Sequence, residues 1–186
     1  MDKKYILIIL LFLFSVCYKS PAQTYFGAGV DYIYPLGKLN EVNKPAFGYN
    51  IQLESRNFCK LWYGLRLDYF SPNKVDSMNT SYYKNFILIS PQVRYNFVNC
   101  NSYQRKLIPY IQALFTISSI TGLDDAQKLG LGGAAGGGLS YGFSIGKTCF
   151  LLDLNVLYNA DNFIYRVESR PSLESITGSI NLSVRI

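Results

Sequence analysis

The sequence contains no histidine. That absence removes Ser-His and Asp-His activation of a nucleophile, imidazole proton shuttling and most zinc sites together. Cysteine is sparse, with four residues, and only Cys59, Cys100 and Cys149 lie beyond residue 22. Three thiols are too few for a disulfide scaffold and leave at least one unpaired within a monomer. Charged residues make up only 16% of the chain. Lys and Arg neither cluster nor interleave with stacking aromatics, so nucleic acid is not an expected partner. Beyond residue 23 no apolar run approaches the roughly 20 residues of a membrane helix, and no segment has the periodicity of a long amphipathic helix.

The 186 residues suffice for one domain of ordinary size. Residues 1–22 read as a secretory signal peptide. Lys3 and Lys4 form a basic start, Tyr5 to Val16 an apolar run, and Ser20-Pro21-Ala22 the small residues of a cleavage site after Ala22. An uncleaved anchor is disfavoured by the short apolar run, and lipidation of Cys17 by the bulk of Val16 before it. Cleavage removes Lys3, Lys4, Lys19 and Asp2, which lowers the formal charge from +6 to +4.

The remainder, residues 23–186, divides into eight segments rich in Tyr, Phe, Ile and Val, most of them alternating with the period of a strand. The expected strands are 24–34, 46–56, 61–70, 83–97, 106–118, 131–145, 148–159 and 173–185. Connections after the first, third, fifth and seventh are long; those after the second, fourth and sixth are shorter. A soluble sandwich has no reason to alternate in this way. A transmembrane barrel does, with long loops outside and tight turns in the periplasm.

Each strand separates into an apolar and a polar face. On the polar faces lie Asp31, Glu54, Asp68 and Asp153 with Arg56, Arg66, Arg94 and Arg185. Equal numbers of opposite charge suit a buried lumen, where an unpaired charge costs several kcal/mol, and arginine suits bidentate pairing in a confined space. On the apolar faces, aromatics gather at strand ends: Tyr32, Tyr34, Phe47, Tyr49, Tyr69, Tyr83, Phe115 and Tyr158 towards the outer rim, and Phe26, Tyr63, Tyr95, Phe97, Tyr141, Phe143 and Phe150 towards the inner. Aliphatic residues such as Val30, Leu65, Ile89, Leu154 and Ile180 lie between them. Two aromatic belts around an aliphatic band are what lipid selects. Pro91 and Pro109 fall on the outward face and imply local bulges, because each removes a ladder donor.

On these features the chain resembles the OmpA-like and porin-family small β-barrels of Gram-negative outer membranes, over essentially all of residues 24–186. The resemblance implies an all-β, eight-stranded antiparallel up-and-down transmembrane β-barrel in the bacterial outer membrane. Its implied partners are outer-membrane lipid, the barrel-insertion machinery and some extracellular ligand or protein. Such barrels often end in an aromatic residue; this sequence ends in Ile186.

Two glycine motifs are set aside. Gly130-Leu131-Gly132-Gly133-Ala134-Ala135 matches a dinucleotide fingerprint, with Asp153 downstream, but it continues as a strand where the chemistry needs a helix N-terminus. Gly142 to Thr148 is one residue short of a phosphate-binding loop, and Gly146-Lys147 reads as a hairpin turn. Catalytic residues, a cofactor and a metal are not expected. By the expected topology all three cysteines map to the periplasmic rim, where a Cys59–Cys100 disulfide would clip adjacent turns. Eight strands leave an interior just wide enough for side chains. The expected function is therefore a structural or surface-binding role with a salt-bridged plug. The alternatives are a narrow porin of small solutes and a secreted soluble barrel holding a hydrophobic ligand.

Overall fold

The computed structural model describes residues 23–56, 60–73, 84–98, 107–121, 128–161 and 173–186. Eight strands run in chain order: β1 (Gln23–Leu36), β2 (Ala46–Arg56), β3 (Leu61–Phe70), β4 (Asn85–Asn96), β5 (Leu107–Thr121), β6 (Lys128–Ile145), β7 (Thr148–Asp161) and β8 (Leu173–Arg185). One short helix, α1 (Gly37–Val42), follows β1. Every neighbouring pair is antiparallel, and β8 pairs back to β1, so the sheet is a closed up-and-down barrel.

Closure satisfies the backbone without leaving an edge, which is the condition for a sheet to cross lipid. Following the register once round the barrel, Tyr25 leads through Glu54, Gly64, Gln92, Leu114, Ala134, Asn159 and Ser175 to Pro35. The return to β1 ten residues beyond Tyr25 is the stagger of the barrel. With about 3.3 Å per residue and about 4.8 Å between strands, it tilts the strands by roughly 40° from the axis, within the range closed barrels adopt.

Several strands run further than their alternation indicates. β1 continues through Pro35 and Leu36, paired with Ser175 and Glu174, and β5 continues past residue 118 against the start of β6. These extensions lie at the long-loop end. There the wall leaves the apolar zone, so backbone pairing persists after the hydrophobic alternation has stopped. The bulges expected at Pro91 and Pro109 are not found. Pro91 sits opposite Leu65 and Pro109 opposite Leu139, and the register is the same on both sides of each. The β4–β5 ladder skips Ser90 and Pro91 without slipping. Ser90 and Thr116 instead share a side-chain hydrogen bond of 3.3 Å across that gap, inside the barrel.

The wall is inverted relative to a soluble barrel. Phe47, Tyr49, Val156 and Ile180 are more than half exposed on the outside, whereas Asp31, Arg66, Arg94, Asn96 and Asp153 are buried within. Phe26, Tyr95 and Phe97 mark one end of the outer face and Tyr32, Tyr34, Tyr69 and Tyr158 the other, all exposed, with Leu65, Ile89, Leu154 and Leu182 between. An exposed apolar area this large is stable against lipid rather than water.

Glycine permits this geometry at two places. Gly146 adopts φ 61° in the two-residue turn between β6 and β7, a conformation that other L-residues rarely take. At Gly138 a Cβ would lie 2.7 Å from the Tyr110 hydroxyl and 2.2 Å from the Leu154 carbonyl oxygen, so a side chain here would displace Tyr110 from the lumen.

Candidate functional site: the charged lumen

The alternation of each strand brings inward-facing residues of neighbouring strands to the same level. Two such levels carry an arginine held between two carboxylates. In the first, Arg66 on β3 donates through Nε to Asp68 Oδ1 at 2.6 Å and through Nη2 to Asp31 Oδ1 at 2.8 Å. Arg66 also donates to Ser179 Oγ at 3.0 Å, and Asn50 Nδ2 donates to Asp31 Oδ1 at 2.8 Å. Residues of β1, β2, β3 and β8 are thereby tied together.

In the second, Arg94 on β4 reaches Asp153 Oδ1 on β7 at 3.0 Å and Glu54 Oε2 on β2 at 3.3 Å. It donates to Asn96 Oδ1 at 3.0 Å and to the Ser140 hydroxyl, which in turn donates to Asp153. Gln92 Nε2 donates to Glu54 Oε1 at 3.1 Å. The guanidinium carbon lies 3.6 Å from the Tyr110 ring centroid and 4.9 Å from that of Trp62. Trp62 stacks on Tyr25 with centroids 5.2 Å apart. One cation therefore bridges strands that are not neighbours in the sheet and is packed against aromatic faces, where desolvated cation–π contact is strongest.

Apolar clusters of buried side chains lie towards the two ends. Tyr25, Trp62 and Leu151 fill the short-turn end. At the long-loop end, Leu39 of α1 descends onto Phe70, Phe86 and Leu88, with Ile33 beside them. The cavity beneath α1 measures about 30 Å³ and is lined by Leu39, Asn43, Phe86 and Thr177 among others. Small-molecule sites enclose roughly 300–1,000 Å³, so this space is a packing gap among the described residues rather than a ligand pocket.

Six of the eight charges expected inside are buried: Asp31, Glu54, Arg66, Asp68, Arg94 and Asp153. Two are placed differently. Arg185 has inward parity but lies beyond the last buried level, Ser183, and is exposed at the rim; Arg56 is half-buried at the end of β2. Parity decides which way a side chain points and not its depth, and both arginines stand at strand ends. Among the described residues the interior accordingly holds four carboxylates against two guanidiniums, not equal numbers. Neutral donors make up part of the difference, with Asn50, Gln92 and Ser140 each donating to a carboxylate. Those amides and hydroxyls share the parity of the charged residues, a signal that a search for charge alone passes over. For α1 and its Leu39 the only signal is one i, i+3 pair of apolar residues, Leu39 and Val42, in an otherwise polar segment, too short a repeat to mark a helix.

The glycine motifs are accounted for within the wall. Residues 130–135 lie inside β6 with no helix to follow, and Gly146-Lys147 is the β6–β7 turn. Cys59 and Cys100 lie outside the described residues, as do residues 1–22 and Tyr83. Cys149 is half-buried and accepts a hydrogen bond from Ser144 Oγ at 3.6 Å.

A closed eight-stranded barrel with a polar packed interior, an apolar exterior and aromatic belts at both rims is a transmembrane β-barrel of the small outer-membrane type. Solved structures agree on the fold. Neisserial surface protein A superposes with a TM-score of 0.60 at 17% identity, covering 88% of this chain and 96% of that one. The N-terminal β-barrel domain of Pseudomonas aeruginosa OprF gives 0.55 at 16%, covering 89% and 99%. Ail, the attachment invasion locus protein of Yersinia pestis, gives 0.51 at 11%, also covering 89% and 99%. No protein-family model and no curated protein matches the sequence.

Proposed function

We propose that the protein is an exported outer-membrane barrel with a structural or surface-binding role, its loops meeting the exterior and its lumen closed to solutes. The observation that carries the second half is the Arg94 level. A guanidinium held by Glu54 from β2 and Asp153 from β7, and packed near Tyr110 and Trp62, supports a closed lumen at this level. An eight-stranded interior is just wide enough for its own side chains. The first half is supported by the inverted surface, by the signal-like segment at residues 1–22, and by the fold it shares with barrels named for a surface protein and an attachment locus. Insertion machinery and outer-membrane lipid are the partners such a barrel requires. A non-enzymatic role agrees with a histidine-free sequence.

The test is twofold. Fractionation with heat-modifiable gel mobility should place a folded barrel in the outer membrane; protein that stays soluble without detergent overturns the reading. Planar-bilayer recordings should then give no unitary conductance. Stable, reproducible single-channel steps would convert the plug into a narrow porin.

A further inference from the structure

The lumen is short of positive charge. Among the described residues it holds Asp31, Glu54, Asp68 and Asp153 against Arg66 and Arg94, an excess of two negative charges. Each guanidinium serves two carboxylates, and each pairing leaves an oxygen over. Asp31 Oδ2 and Asp153 Oδ2 are buried and have no hydrogen-bond partner. Uncompensated buried charge is strongly destabilising, so the deficit calls for a cation from outside the chain.

The spare oxygens gather on one wall. Asn50 Oδ1, Asn155 Oδ1 and Asn181 Oδ1 are likewise buried without a partner. The register sets these five residues side by side on β7, β8, β1 and β2. Asp153 stands opposite Asn181, Asn181 opposite Gly29, and Gly29 opposite Asn50; Asn155 and Asp31 occupy the next inward level, flanking Ser179. All five are 6% exposed or less. Gly29 leaves the middle of the patch without a side chain, and Asn181 leans across it, since a Cβ at Gly29 would collide with Asn181 Oδ1. Neither polar atom of Asn181 is engaged. Asn50 already donates to Asp31, so its amide oxygen is left as an acceptor. The wall of β3 to β5, which carries both arginines, contributes mostly unpartnered nitrogens instead, at Arg66, Asn96 and Gln112.

We propose that this wall binds one hard divalent cation of the calcium type, held by Asp31 and Asp153 and by the amide oxygens of Asn50, Asn155 and Asn181. Calcium takes carboxylate, amide and water oxygens together, about six to eight in flexible geometry. One such ion cancels the excess charge and engages the spare oxygens at once. Water would leave the charge in place, and two protons would supply only two donors. No three of His, Cys, Asp and Glu come together among the described residues, so the amide oxygens are indispensable to the set. Asp31 and Asn50 belong to the first two strands and Asp153, Asn155 and Asn181 to the last two, so the ion is enclosed as β8 closes on β1. The inference goes beyond the proposed role; calcium binding is read without reference to conductance or localisation, so either reading can fail alone.

The experiment refolds the full barrel from urea into uncharged maltoside micelles, which offer calcium no phosphate, in physiological sodium chloride with radioactive calcium. Heat-modifiable mobility selects folded protein throughout. Wild type should hold one calcium per barrel, and equimolar magnesium should not displace it. Calcium at about 100 times its Kd should raise the folding equilibrium constant about a hundredfold, read by urea titration. Asp153→Asn and Asn181→Ala should each weaken binding at least about tenfold. Asn181→Asp keeps an oxygen at that place and adds charge. It should be less stable than wild type without calcium, yet bind calcium at least as tightly. Glu41→Gln and Glu174→Gln, at the long-loop end, should leave binding unchanged. The proposal is overturned by folded wild type that holds no calcium, by Asp153→Asn or Asn181→Ala binding as wild type does, by Asn181→Asp binding no better than Asn181→Ala, or by equal losses from the long-loop variants.

Discussion

Replacing Arg94 by methionine keeps most of the side chain's volume while removing its charge. Glu54 and Asp153 are 2% and 1% exposed and share this guanidinium, so the variant leaves two carboxylates buried without their cation. Breaking a buried pair by removing one partner costs about 3–5 kcal/mol. Loss of the stacked contact with Tyr110, at 3.6 Å, adds about 1–2 kcal/mol. Arg94→Met should therefore lower unfolding free energy by roughly 5 kcal/mol, since the two losses share one group and do not sum fully. The assay is urea titration in phospholipid vesicles, followed by Trp62 fluorescence and by gel mobility. The decisive companion is Arg94→Met with Glu54→Gln and Asp153→Asn, which removes every charge of that level. It should recover to within about 2 kcal/mol of wild type, because replacing a whole buried ion network by neutral groups is often close to neutral. A single variant costing less than about 1 kcal/mol, or a triple variant no better than the single, would refute the reasoning. Either result would mean that the two carboxylates are not held by this arginine.

Three further outcomes are expected. Ile180→Arg, on the outer face midway along β8 and 59% exposed, should cost about 2–4 kcal/mol in lipid vesicles, and the same substitution at Phe97 near the rim about 0–1 kcal/mol; equal costs at both depths would contradict a membrane-spanning wall. Gly138→Val should displace Tyr110 and destabilise the barrel by about 1–3 kcal/mol, measured by the same urea titration. Tyr110→Phe alongside it should recover part of the loss, and no interaction between the two sites would argue against the contact. Non-reducing peptide mapping of protein from the periplasm-facing membrane should yield a linked Cys59–Cys100 peptide; both thiols free would eliminate that disulfide.

The barrel itself was legible because lipid imposes two independent regularities. Alternation in β2, β3, β7 and β8 marks which face is wet, and loop length marks which end is which, so the strands of residues 46–56 and 61–70 coincide with the structure. Depth was less legible. Arg185 and Asp153 both have inward parity, yet one lies at the rim and the other inside, because Arg185 ends its strand whereas Asp153 stands within β7. The prolines were read as bulges because each lacks a donor, although a gap in one ladder can be spanned by Ser90 and Thr116 without a change of register. The seating of Leu39 depends on a shape, the mouth formed by Phe70, Phe86 and Leu88, that exists only after closure.

The contacts of Arg66 have a consequence for assembly. Its hydrogen bond to Ser179 and its ion pair to Asp31 join β3 to β8 and β1, and Gln52 on β2 reaches Ser183 on β8 at 3.4 Å. The two β8 partners, Ser179 and Ser183, reach Arg66 and Gln52 only when the first and last strands meet. Until that seam zips, Arg66 and Gln52 lack their partners on β8, and the interior stays open to water along the gap. Sealing the wall and completing these interior contacts are thus a single step, and a half-zipped sheet gains little of the stability of the finished cylinder. Such a chain is held near all-or-none at the membrane, with its hydrated interior charge resisting entry until the last pair of strands makes entry favourable.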